Sequence, residues 1–200
     1  MLDNKLGIAT QDELDKAEER VSKVSAKRLY DSGDIDNIEV GTYKGLVDIH
    51  TYLFEDIYDF AGETRTVNIA KGNFMFAPVM YLEGSLSGIN QMPQTNLDEI
   101  VEKYVEMNIA HPFRDGNGRS TRIWIDLILK KELKRVVDWG VIKKEEYLSA
   151  MERSPVTVLE LRNLIGGALT DKIHSREVFM HGIDVSYCYE GFSHYRIAEL

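Results

Sequence analysis

Twelve consecutive residues, His111-Pro-Phe-Arg-Asp-Gly-Asn-Gly-Arg-Ser-Thr-Arg122, bring a base, a carboxylate, two glycines and three arginines together. Gly116, Asn117 and Gly118 precede an apolar-periodic segment. They can turn successive backbone amides toward one point, and such a nest in front of a helix N-terminus favours a phosphate. Arg119 and Arg122, three apart in the first turn, lie on one side of it and suit charge-assisted bonds to phosphate oxygens. Asp115 beside the same phosphates favours Mg2+ over direct contact with an anion. His111, with an ordinary pKa near neutrality, can take a proton from an attacking hydroxyl. The assembly suits phosphoryl or nucleotidyl transfer, where catalysis is mostly positioning and charge neutralisation. On spacing alone a second reading stands level with it: a helix–helix turn whose glycines are caps and whose arginines pair with surface acids. A Walker-type loop is excluded, because no Gly-Lys-Ser/Thr follows the glycines.

Helical periods dominate the elements that must position this loop. Thr10-Gln-Asp-Glu13 reads as a capping box, followed by Leu14, Ala17, Val21, Val24 and Arg28 on one face, with the intervening charges solvated. A second helix carries Leu46, Ile49, His50, Leu53, Phe54 and Ile57 and is expected to end near Phe60-Ala-Gly62, with His50 a hydrogen-bonded core histidine. Thr66–Ala70 and Phe74–Ala77, around Lys71-Gly-Asn73, read as the chain's one hairpin, which without sheet partners must lean on helices or serve as a surface. Further helices are expected from Pro78 to about Asn90, and from an Asn96 cap to His111, where Pro112 ends the pattern. The segment Arg119–Leu133 is apolar around most of its circumference and is expected to be the buried centre. Lys143–Met151, Pro155 to about Ala168 with a Ser154 cap, and Ser175–Glu190 with a break near Gly182 complete the set.

The bulk numbers fit one domain, 1–200, of all-α class with a short hairpin at 62–78. With 33 acids against 24 bases and a net charge of −9, general affinity for nucleic acid or an acidic membrane surface is not expected. The lone Cys188 cannot form an internal disulfide and reads as a half-buried small residue. No basic region followed by an apolar run opens the chain, and no window is long and apolar enough for a membrane span, so a cytoplasmic protein is expected.

The motif His111-Pro-Phe-Arg-Asp-Gly-Asn-Gly-Arg119-x-x-Arg122 resembles the Fic-domain signature HPFx[D/E]GNGRxxR at every defined position. The likeness extends to the Leu46–Ile57 helix, the Phe60–Arg65 run and the hairpin. It implies a Fic-type helical bundle that moves AMP from Mg2+-bound ATP to a hydroxyl of a target protein. By family analogy His111 is the base, Phe113 anchors the loop and Asp115 holds Mg2+. Gly116, Asn117 and Gly118 form the anion hole, Arg119 binds the β-phosphate and Arg122 the γ-phosphate. The hairpin corresponds to a flap on which the target lies as an added strand, through Thr66, Val67, Asn68, Ile69, Lys71 and Phe74. Relatives that phosphorylate their target carry lysine at the position of Gly118, so glycine favours AMP transfer; transfer of UMP or phosphocholine stays open.

Ser186-Tyr-Cys-Tyr-Glu190-Gly191 fits the family's inhibitory motif [S/T]xxxE[G/N], and its place on a helix at about 176–191 resembles the class III arrangement. The resemblance implies that Glu190 pairs with Arg122 and misplaces ATP, and that the same glutamate can support AMP removal. It also makes type II topoisomerase subunits candidate targets by analogy, alongside self-modification on Tyr187, Tyr189 or Tyr195 and a homo-oligomer that holds the tail. The rival class is a toxin-like binding module that acts through the flap without turnover.

Overall fold

A computed structural model describes residues 1–72 and 74–200. Eight α-helices are present among them: α1 Gln11–Asp31, α2 Tyr43–Phe54, α3 Val79–Gln91, α4 Leu97–Ala110, α5 Asn117–Leu133, α6 Lys144–Arg153, α7 Leu159–Gly167 and α8 Arg176–Tyr189. Two antiparallel strand pairs accompany them, the hairpin of β1 Ala70–Lys71 with β2 Phe74–Met75, and β3 Val136–Val137 with β4 Leu169–Thr170 across α6 and α7. Helix α5 is central, with Trp124, Ile125, Ile128 and Leu129 fully buried, and α2, α4 and α8 pack around it. The apolar stripes of α2 and α4 turn toward it: Leu46, Ile49 and Leu53 from one, Ile100, Val101 and Tyr104 from the other. Side chains cap three of these helices, Thr42 accepting from the Gly45 amide at 3.1 Å, Asn96 from Glu99 at 3.1 Å and Ser175 from Val178 at 3.3 Å. No helix among the described residues is long and apolar enough to cross a membrane.

Several sequence expectations need correction. Of the expected stripe on α1 only Leu14 is fully buried and Val24 is exposed; the buried face is Leu14, Glu18, Glu19, Ser22, Lys23, Ser25, Ala26 and Leu29. Partners distant in sequence reach Glu18, Glu19, Ser22 and Lys23, which periodicity cannot register. The Thr10 hydroxyl donates to Glu13 Oε2 at 2.6 Å rather than accepting from a helix amide. Helix α2 stops at Phe54, well before Gly62, because the chain turns there to bury Ile57 and Tyr58. The flap ladder is only Ala70–Lys71 against Phe74–Met75; Val67 and Asn68 do not pair as strand but serve local carbonyl and capping bonds, and Asn73 lies outside the described residues. A second antiparallel strand pair exists, closed across α6 and α7 and too short for a period-2 signal. Ser154 closes α6, donating to the Met151 carbonyl at 2.7 Å, and α7 begins only at Leu159. Helix α8 runs unbroken through Gly182, which packs on Trp139, and Cys188 is exposed.

Candidate active site

The loop between α4 and α5 is tied down residue by residue. Helix α4 ends as His111 adopts φ 47°, a left-handed geometry unfavourable for a residue with a side chain, while its amide still reaches the Met107 carbonyl at 3.0 Å. Phe113 is fully buried and stacks on His50, ring centroids 3.8 Å apart. The His50 Nε2–H donates to the Asp115 carbonyl at 2.9 Å, and Nδ1 accepts from the Gly62 amide at 2.9 Å, so these bonds set the tautomer. Burial pushes His50 down to about 4, keeping it neutral. Gly116 has φ 76°, and a Cβ there would lie 2.5 Å from the Phe54 ring, so only glycine fits both the turn and the packing.

His111 donates from Nδ1 to the Asn108 carbonyl at 3.3 Å, which leaves Nε2 as the basic nitrogen. Its ring stacks on Phe76 of the flap at 3.6 Å, and burial holds its pKa down to about 4. A base that is already neutral accepts a proton without first losing one. Arg65 fixes both neighbours: its guanidinium donates to the carbonyls of His111 at 2.7 Å, Val67 at 2.7 Å, Ala77 at 2.5 Å and Ala110 at 3.1 Å. Sequence reasoning singled out neither Arg65 nor Phe76 as a site residue. Arg65 closes the Phe60–Arg65 run that carries part of the family likeness, which was the available signal.

On the other side of the loop, Arg122 is buried and fully engaged. It donates from Nε to Ser186 Oγ at 2.7 Å, and from Nη2 to the Ser186 carbonyl at 3.0 Å and to Glu190 Oε1 at 2.6 Å. Its Nη1 lies 3.3 Å from the Tyr147 hydroxyl, and the guanidinium sits over the Tyr147 and Tyr189 rings. The expected Glu190–Arg122 pair is present, and Ser186 is its second support. Glu190 Oε1 lies 2.3 Å from where a Gly118 Cβ would stand, so the carboxylate covers the first turn of α5. The amides of that turn have no helical acceptor. Burial alone would raise the Glu190 pKa, but the charges of Arg122 and Lys71 and the Arg122 bond outweigh it and hold it down to about 2. Lys71 Nζ, from the flap, is 3.3 Å from Glu190 Oε2.

Two expected ligands are placed otherwise. The Asn117 side chain does not face the anion hole: Oδ1 accepts from the Phe113 amide at 2.9 Å and Nδ2 donates to the Phe113 carbonyl at 2.8 Å, locking the loop. Arg119 is not open to a β-phosphate here; it is buried, paired with Glu18 of α1, and donates to Asp115 Oδ1 at 2.9 Å. Glu18 also accepts from the Tyr58 hydroxyl and was missed because the charge-rich pattern of α1 reads as a solvated face. Asp115 takes the Gly116 amide at 2.6 Å on that same oxygen, and its side chain is 45% exposed. The remaining carboxylate oxygen suits a divalent cation. No cluster of three His, Cys, Asp or Glu residues among the described ones could hold a metal alone, so phosphate oxygens and water would complete the sphere, as Mg2+ prefers.

Of the expected docking residues, Thr66, Val67, Asn68 and Lys71 are exposed and Ile69 and Phe74 half-buried, although the Asn68 side chain is occupied by the Val79 amide at 2.9 Å. Tyr187 and Tyr189 are buried, with hydroxyls bonded to Ser22 Oγ at 2.7 Å and to the Ile142 carbonyl at 2.8 Å. Neither is reachable as an acceptor while α8 is docked, whereas Tyr195 is half-buried.

Residues 41–129 match the profile of the Fic/DOC family. The chain is 29% identical over 166 residues to the Sinorhizobium fredii protein named "Probable protein adenylyltransferase y4lH", spanning 77% of this chain and 83% of that one. It is also 29% identical over 164 residues to "Probable protein adenylyltransferase Fic" of Escherichia coli, spanning 74% and 76% of the two. Its fold is similar to that of the BepC protein of Bartonella tribocorum, solved with bound AMPPNP, with a TM-score of 0.68 at 18% identity over 85% of this chain and 92% of that one.

Proposed function

We propose that this chain, whose residues 41–129 match the Fic/DOC family profile, transfers AMP from ATP to a hydroxyl of a target protein, restrained by its own Glu190. The observation that carries this reading is the anion site itself. A carboxylate lies on the first turn of α5 between Arg122 and the space left by Gly118, on the opposite side of the loop from a neutral His111. An anion already sits there, so the site suits phosphate once Glu190 moves.

In the reaction, His111 Nε2 takes the proton of the acceptor hydroxyl. The hydroxyl oxygen forms a bond to the α-phosphorus, and the bond from that phosphorus to the β-bridging oxygen breaks, releasing pyrophosphate. The amides at the start of α5 and the freed Arg122 stabilise the phosphates. Mg2+ would be held by Asp115 and would offset charge on the leaving pyrophosphate. Arg119 acts through Asp115, which it holds in place from behind. The target lies along the flap as an extended strand, and Phe76 and Arg65 keep the flap and His111 in one frame. Type II topoisomerase subunits are candidate targets, Tyr195 is the reachable tail tyrosine for self-modification, and ATP as donor fits a cytoplasmic reaction.

The restraint belongs to the C-terminal, class III arrangement. A charge-assisted bond of about 1.5–3 kcal/mol between Glu190 and Arg122 would suppress the competent state roughly 10- to 150-fold. The test is mass spectrometry of target and self after incubation of the Glu190→Gly chain with each nucleoside triphosphate in turn. A gain of one AMP, absent in a His111→Ala chain, is expected. A gain of phosphate or UMP, or no gain with any donor, would refute the reading.

A further inference from the structure

Glu190 is held from two sides, not one. Arg122 reaches it from the first turns of α5 at 2.6 Å, and Lys71 reaches its other oxygen from the flap at 3.3 Å, from a position 119 residues away in the chain. The Lys71 side chain is 69% exposed, so its ammonium stays hydrated on the outer face of the site, while Arg122 lies buried beneath the same carboxylate. The carboxylate between them covers the Gly118 position at the helix start. An anion with one cation below, another above and a helix N-terminus behind has the surroundings that a phosphate group seeks.

We propose that Lys71 is itself a nucleotide-binding residue. When Glu190 withdraws, the ammonium passes from the carboxylate to a terminal phosphate oxygen of ATP, facing Arg122 across the phosphate. Moving Glu190 away leaves two unopposed cations beside a helix N-terminus, and the polyphosphate is the anion that arrives there. Lys71 precedes the turn of the hairpin that carries Phe76 against the His111 ring. Nucleotide binding through Lys71 therefore fixes the flap over the base before a target strand is added. This rests on the AMP-transfer reading but concerns a residue outside the twelve-residue motif.

Lys71 could instead only clasp Glu190, and the two roles separate when Glu190 is absent. In the Glu190→Gly chain, adding Lys71→Ala is expected to raise KM for ATP about three- to tenfold with kcat within about twofold, and Lys71→Arg is expected to keep most of the affinity. Lys71 is exposed, so its replacement leaves the core untouched. A KM for ATP that does not move in this background would overturn the proposal. A second readout does not need turnover. A fluorescent ATP analogue is titrated into the Glu190→Gly/His111→Ala chain with and without the further change Lys71→Ala, and Kd should be about three- to tenfold weaker without the lysine. Equal Kd values would reject the inference, whereas a weaker Kd together with no AMP transfer by the Glu190→Gly chain that keeps His111 would count against the AMP-transfer reading alone.

Discussion

Arg122 is held by a carboxylate where the proposed reaction needs it for a phosphate, and the geometry says how firmly the carboxylate holds it. The Glu190 carboxyl, held down to about 2 from its ordinary 4.5, stays ionised through the whole working range. A depressed carboxylate pKa means that the pair contributes fully above about 4.5 and is lost only as pH falls toward 2. Acidification to pH 5 should therefore not release the restraint. The ratio of AMP-transfer rates between Glu190→Gly and the unaltered chain is expected to stay within about twofold from about pH 8 to about pH 5. A ratio that collapses toward one near pH 5.5 would mean that Glu190 titrates with an ordinary or raised pKa. His111, pushed down to about 4 by burial, stays a competent base over that range, so the acid limb of kcat/KM is expected below pH 5 rather than near 6.5.

At the scale of elements, α1 has a bracing role that its sequence hides. Glu18 pairs with Arg119, Ser22 accepts from Tyr187 at 2.7 Å, and Lys23 joins Glu19 at 3.0 Å and Asp184 at 2.9 Å, so one polar face braces both α5 and α8. Removing Glu18 leaves the Arg119 guanidinium buried with only Asp115 as a carboxylate partner. Glu18→Ala is expected to cost about 3–5 kcal/mol in urea unfolding, a loss beyond ordinary surface substitution. A change under about 1 kcal/mol would show that Asp115 and the surrounding rings suffice. The elements whose burial is apolar were legible from spacing: α2, α4 and α5 each carry a stripe of Leu, Ile, Val and aromatics that points to the core. The motif loop was legible because its residues are local to one another. What was not legible depends on partners far away in the chain. Glu18 meets Arg119 across 101 positions and Arg65 reaches His111 across 46. Asn117 and Arg119 were given to ligand because the motif names residue types, while the fold turns their side chains onto Phe113, Glu18 and Asp115.

At the scale of the whole molecule, the site ties folding to protonation. His50 and His111 are both pushed down to about 4 by burial, so between pH 6.5 and 4 the unfolded chain binds protons that the folded chain refuses. Asp126 opposes them: burial outweighs its bonds from the Val137 amide and the Trp139 indole and lifts it to about 7, so there the folded chain binds the extra proton. Two groups against one leave stability falling as pH falls through this window. The urea midpoint is expected to be lower at about pH 4.5 than at about pH 6.5, and an unchanged or higher midpoint at the lower pH would contradict these assignments.

The same packing that lets α1 and the tail hold α8 keeps Glu190 on Arg122, which is the contact that the proposed restraint rests on. The most direct measurement is the initial rate of AMP incorporation from labelled ATP into an acceptor protein, for the unaltered chain, Glu190→Gly and Glu190→Gly/His111→Ala side by side. Removing Glu190 is expected to raise the rate at least about tenfold, and no incorporation is expected once His111 is also lost. A Glu190→Gly chain no faster than the unaltered one, or labelling that survives without His111, would contradict the assignment of Glu190 as the brake and His111 as the base.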